Sequence, residues 1–355
     1  MAKKKKLNKK GRALLMLLFI VLFAAGITIF TNMQKNDSKK DSSNSKSESK
    51  TKPKKEEKKL QIIDLDSDSR NYAVMINNIK TVWGYQSGLQ DAYMVYEIIV
   101  EGGYTRLMAV FKDKSLDRIG SVRSSRHYFL DYALENDAIY IHFGWSPQAE
   151  SDMKTLGVNN INFMSYGGYE RDKSLGLATE HTAFTSTEKI MKGVSYYGYR
   201  NTTKQKPLLN YSVDSVNLAN MEGAIVANKV NIVYSNSRST QFEYDSENKV
   251  YNRFQNNIVH KDYVTGKQYT AKNIIAYQVN NYTISGDNKG RQTIDNIGKG
   301  TGWYISEGYA IPITWEKSSR SSKTIYKYND GTEIKVNDGN TYIEIFPKNQ
   351  QITIE

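Results

Sequence analysis

A mixed α/β domain followed by an all-β domain, behind an N-terminal transmembrane helix, is the fold class this 355-residue sequence predicts. Three observations carry the prediction. Short apolar runs of strand length alternate with helical patterns between about residues 71 and 198. The helical period vanishes after about residue 226. Near the N-terminus, Ala13–Phe30 runs for 18 residues without a charge.

The elements follow in chain order. Residues 1–12 form a basic tail. Residues 13–30, "ALLMLLFIVLFAAGITIF", would rise about 27 Å as a helix, close to the hydrocarbon thickness of a bilayer. All flanking charge on the N-terminal side is positive, which predicts a cytoplasmic N-terminus and an extracytoplasmic body. The rival reading is a cleaved signal peptide; the length of the run favours a retained single-pass anchor in the cell membrane. Residues 31–59 have almost no apolar side chain to offset chain entropy and read as a disordered Lys/Ser-rich tether.

Residues 60–203 read as the mixed α/β domain. "NYAVMINN" is a strand, and "AYMVYEIIV" and "YTRLMAVF" are strands joined by a Gly102-Gly103 hairpin. "HYFLDYALEND" places Phe129 with Ala133 and Leu130 with Leu134 at helical spacing, and His127 is expected on that helix's surface. "AIYIHFG" returns to strand alternation. In "SPQAESDMKTLG", Ser146 is the expected N-cap, Pro147 the first helical residue and Gly157 the stop. "INFM" is a further strand, and Thr185 with Glu188 suggests a capping box opening a last helix. Residues 204–225 read as the join. In 226–355, alternating strands between Asp-Gly and Asn-Asp-Gly turns predict a sandwich or barrel, with Pro312 at an edge or bulge and "GKGTG" (298–302) as a hairpin turn.

Composition narrows the function. The net charge of +12 lies entirely in the first 59 residues. Residues 60–355 carry 32 basic and 32 acidic side chains, so no basic surface for nucleic acid is indicated. There is no cysteine, hence no disulfide and no cysteine to lipidate. Four scattered histidines without a His-x-x-x-His pair give no metal signature, and no cofactor motif is present.

The chemistry concentrates in "SVRSSRH", Ser121–His127. A strand-to-helix turn there would bring Arg123, Arg126, Ser125 and free backbone N–H groups to one point, an arrangement suited to phosphate or carboxylate. Equally, Glu97 and Glu101 could pair with Arg123 and Arg126 as a partly buried ion network. His142 and Ser146 sit where a strand ends, the place where open α/β sheets put ligands, and His181 precedes the last helix beside Glu180. A Ser–His–Asp set can be drawn from Ser125, His142 or His181, and Asp131 or Asp137, but any chain this long offers such combinations.

The stretches "AVMINN", "QSGLQDAYMVYEIIVEGGYTRLMAVF", "IGSVRSSRHYFLDYALENDAIYIHFGWSPQA", "EHTAFTST", "GTGWYISEGYAIPITWEK" and "DGNTYIEIFP" resemble, in order, the YerB family of bacterial cell-envelope proteins. That family carries paired N- and C-terminal domains of unknown function. The resemblance implies an exported, membrane-attached protein with an α/β domain followed by a β domain. Its members are typically lipoproteins; here the transmembrane helix would replace the lipid. Residues matching the family's stretches are the site candidates: Glu97, Glu101, Arg106, Arg123, Ser125, Arg126, His142, Ser146 and His181.

Two functional readings follow. In the first, Arg106, Arg123, Ser125, Arg126 and Ser146 bind an anionic envelope ligand or an envelope protein. In the second, the chain is a hydrolase or phosphotransferase acting on a phosphate-bearing or glycan substrate. His142 or His181 would then be its acid–base group, assisted by Glu97 or Glu101.

Overall fold

The computed structural model describes residues 59–355. The expected anchor at 13–30, and all of the expected tether but its last residue, lie outside the described residues. Among the described residues no helix is long and apolar enough to cross a membrane.

Five strands of the main sheet and three α-helices precede residue 200. They are β1 (Tyr72–Asn77), β2 (Met94–Ile99), β3 (Thr105–Phe111), β4 (Ile139–His142) and β5 (Asn160–Asn162), with α1 (His127–Glu135), α2 (Pro147–Thr155) and α3 (Thr187–Tyr196). The β2–β3 connection turns through Gly102 and Gly103, at φ 70° and 73°, a left-handed pair that a side chain would strain. Ser146 caps α2 by accepting from Ala149 N, with Pro147 at the first helical position. The cap of α3 is Ser186, accepting from Lys189 N, one residue later than the Thr185–Glu188 spacing suggested.

The later part of the chain supplies β6 (Ile225–Val226), β7 (Lys229–Ser235), β8 (Arg238–Asp245), β9 (Val250–Gln255), β10 (Asn273–Val279), β11 (Gly298–Ser306), β12 (Tyr309–Lys317), β13 (Ile325–Tyr328), β14 (Thr341–Pro347) and β15 (Ile352–Ile354). These strands do not close into a sandwich or barrel of their own. An 11-stranded sheet runs β6-β12-β11-β10-β14-β2-β3-β1-β4-β5, with β13 beside β12. β14 inserts between β10 and β2, parallel to both, so one sheet is assembled from both ends of the chain. A second, 6-stranded sheet is built mainly from β9, β8, β7 and β15.

The central strands are buried on both faces, which is why they read as continuous apolar runs rather than alternations. Met75, Ile98 and Met108 pack with α1 and α2 on one side. Val74, Leu107 and Ala109 pack with α3 and the second sheet on the other. Pro312 sits in β12 between the stretches paired to β6 and β13, where that flank has no ladder to interrupt. "GKGTG" is the start of β11, not a turn. His127 is not a surface residue either. It is 6% exposed because the hairpin that contains Thr293 covers it, with Nε2 and Thr293 Oγ1 at 3.0 Å.

Candidate functional site

The "SVRSSRH" segment crosses the C-terminal ends of β1 and β4. Arg123 N donates to Met75 O at 2.9 Å, and Phe143 N donates back to Arg123 O at 3.0 Å. Ser125 N then donates to Gly144 O at 2.9 Å, and Ser146 N to Ser125 O at 3.2 Å. Since β1, β4 and β5 are parallel, the segment lies beyond the carboxyl ends of parallel strands, the position where open α/β sheets place ligands.

Three arginines lie there, two on one carboxylate and the third on another. Arg126 grips Glu101 with a fork, Nε to Oε2 at 2.9 Å and Nη2 to Oε1, while its Nη1 donates to Ser125 O at 2.7 Å. Arg106, near the start of β3, donates to Ser124 O at 2.5 Å and stands 3.5 Å from Glu101 Oε1. Burial alone would raise the Glu101 carboxyl, but the Arg126 hydrogen bonds and the charges of both arginines hold it at about 2. Arg106 is itself brought down to about 9, by burial first and then by the neighbouring Arg126. The cluster is therefore richer in positive charge than its enclosed carboxylate can balance.

Arg123 points the other way. It donates to Glu180 O at 3.1 Å and to Glu180 Oε1 at 3.3 Å. The Glu180 side chain is 60% exposed against 23% for Arg123, so this carboxylate is free to leave. His181 is drawn in beside it: Asn77 Nδ2 donates to Nδ1 at 3.1 Å, which puts the proton on Nε2, 3.4 Å from Glu180 Oε1. Burial and the Arg123 charge both lower its pKa.

The other candidates lie in enclosed positions. His142 is fully buried, with Nδ1–H donating to Gly144 O at 2.9 Å and Nε2 against Asn160 Oδ1 at 3.1 Å; desolvation lowers its pKa. Ser125 is fully buried and accepts from Tyr140 Oη at 2.9 Å. Ser146 is spent on the α2 cap. No Ser–His–Asp set forms from the candidates: Asp131 is held by Arg320 and Asn296, and Asp137 by Arg200 and Thr203. Among the described residues no group of three or more His, Cys, Asp or Glu could hold a metal ion.

Glu97 belongs to a different place. It pairs across β2–β3 with Leu107, whereas Arg106 pairs with Ile98, so Glu97 and Arg106 face opposite sides of the sheet. Its partners are Arg238 and Arg253 of the second sheet, with Thr105 Oγ1 at 2.6 Å, Thr240 Oγ1 at 2.9 Å and Asn78 Nδ2 at 3.1 Å. Burial would raise Glu97, yet the two guanidinium groups hold it at about 2. Glu344, opposite it in the β2–β14 register, has only the Tyr234 hydroxyl as a donor, at 2.6 Å; burial and the Glu97 charge raise it to about 8. Arg253 also reaches His260, whose Nε2 meets Gln86. Sequence reasoning missed Arg238, Arg253, His260 and Glu344. The signal was a carboxylate inside an apolar central strand, "MVYEII" and "TYIEIFP", where a charge is tolerated only if paired.

Comparison with known proteins places these observations in a family. Residues 60–200 match the N-terminal domain, and residues 230–343 the C-terminal domain, of a family described as a protein of unknown function (DUF3048). The chain is 28% identical over 284 residues to the putative lipoprotein YerB of Bacillus subtilis, covering 79% of this chain and 82% of that protein. The crystal structure of B. subtilis YerB superposes with a TM-score of 0.69 at 27% identity, covering 80% of this chain and 94% of that one. The chain belongs to the YerB family. The YerB arrangement of paired domains is thus the setting of both arginine–carboxylate clusters.

Proposed function

We propose that this chain is a membrane-attached, extracytoplasmic envelope protein that binds an anionic group, phosphate or carboxylate, at the Arg106–Arg123–Arg126 turn. One observation carries the reading: at the exit of parallel strands Arg106 and Arg126 are buried on Glu101, while the neighbouring Arg123 meets only the exposed, displaceable Glu180. Glu180 occupies the position an incoming anion would take. Binding is favoured over catalysis because both ring nitrogens of His142 are engaged in a site without exposed surface.

Membrane attachment is supported by the relative's description as a putative lipoprotein. This chain has no cysteine to carry a lipid, so the Ala13–Phe30 segment takes that role in the proposal. The test is thermal unfolding of the full chain in detergent with inorganic phosphate and pyrophosphate. The midpoint should rise with ligand in the wild type and stay still in Arg123→Ala. A midpoint indifferent to both anions in the wild type refutes the anion site.

A further inference from the structure

From the turn, a band of aromatic rings, half-buried except for the core ring of Phe163 and the exposed Tyr196, leads to the end of α3. Phe143, bonded to Arg123 through its backbone, packs on Tyr169 with ring centres 4.8 Å apart, and Tyr169 stacks on Phe163 at 5.6 Å. Gly168 continues the band, since a Cβ there would meet the Tyr166 ring at 2.7 Å and the Phe163 ring at 3.2 Å. Tyr166 lies 5.3 Å from Tyr196 and 5.8 Å from Tyr197, and Tyr197 stacks on Tyr199 at 5.5 Å and 15°. Tyr196 is 72% exposed and Met164, beside the turn, 70%. Arg171 covers Phe143 and Tyr169 and donates to Thr179 O, so it and Arg123 flank the same short loop.

An occupant of this surface needs flat faces of C–H groups along its length and negative charge at one end. Sugar rings offer those faces to tyrosine and keep their hydroxyls in water, within reach of the phenolic rims. A docking peptide strand would use the neighbouring sheet edge, β5, but the Tyr199 hydroxyl already bonds Asn160 O at 3.1 Å and Asn160 N at 3.4 Å.

We propose that this band binds an acidic oligosaccharide, its rings on Tyr166, Tyr196 and Tyr197 and its phosphate or carboxylate at Arg123. The proposal rests on the anion reading of the turn and extends it to a ligand class.

The experiment is equilibrium titration of the full chain in detergent with an oligogalacturonate hexamer (carboxylate), a mannose pentamer carrying a 6-phosphate (phosphate) and pyrophosphate (charge without rings). Tyr196→Ala should weaken the favoured acidic sugar about tenfold, the scale of one aromatic contact, and Tyr196→Phe should restore most of it. Arg123→Ala should weaken both that sugar and pyrophosphate, whereas pyrophosphate should ignore Tyr196. Whichever acidic sugar binds more tightly identifies the anionic group. If pyrophosphate binds but both sugars bind no better, or Tyr196→Ala leaves sugar affinity unchanged, the band is refuted and the anion site stands. If none of the three binds, both readings fall. Sugar binding that responds to Tyr196 but not to Arg123 overturns the acidic assignment. An unchanged unfolding midpoint in each variant excludes misfolding as the cause of any loss.

Discussion

The chain uses arginine–carboxylate chemistry twice, and the two clusters differ in how much water reaches them. Around Glu97, two guanidinium groups from a second sheet meet a carboxylate with no exposed surface. At the turn, Glu101 keeps 25% of its side-chain surface and Glu180 keeps 60%. The first cluster holds two parts of the chain together, because no competing ion can enter. The second has a carboxylate that solvent, or a ligand, can replace. Residue types alone do not separate these roles; exposure does.

The largest expected effect lies in the buried cluster. Glu97→Gln removes the carboxylate that Arg238 and Arg253 both grip and should cost about 3–5 kcal/mol, read as a fall in denaturation midpoint. Only a small loss would mean that water enters the cluster and that it differs little from the turn.

Next comes pH. Glu344 is raised to about 8 in the fold, so it contributes stability that is fully present below its ordinary carboxyl range and lost as pH climbs through about 8. Glu97 has the opposite sign: held at about 2, its contribution is present above the ordinary range and lost as pH falls toward 2. Unfolding midpoints measured from pH 5 to 9 should therefore fall between the ordinary carboxyl range and about pH 8 and level off above it, and Glu344→Gln should flatten that decline.

Smaller again is Glu101→Gln, which removes the counter-charge shared by Arg106 and Arg126. With that site only partly buried, a loss of about 1–3 kcal/mol is expected in the same denaturation measurement. Smallest is Glu180→Gln. As an exposed pair it should change stability by less than about 1 kcal/mol, yet it should tighten phosphate binding by removing the carboxylate that competes for Arg123. Weaker phosphate binding in that variant would make Glu180 part of the site rather than its placeholder.

Much of the site was legible because its parts are close in sequence. Arg123, Ser125 and Arg126 lie within four residues, and a strand-to-helix turn brings them together whatever surrounds it. Glu101 as partner to Arg126 also follows from the expected network, since the hairpin places it at the same end of the sheet as the turn. The pairing of Glu97 with Arg238 and Arg253 could not be read. More than 130 residues separate them, and strand alternation says which residues share a face, not which strand lies opposite.

By itself the sequence determined what local forces decide. Apolar periodicity set the strands and helices before residue 200, Ser146 and Pro147 set the start of α2, and Gly102 and Gly103 set the β2–β3 turn. Tertiary structure alone decided the insertion of β14 between β10 and β2, the burial of His127, and the division of one kind of ion pair into a sealed cluster and an open one. The physical reason is that neighbours across a sheet are chosen by packing summed over the whole chain, and the solvation of a charge depends on those neighbours.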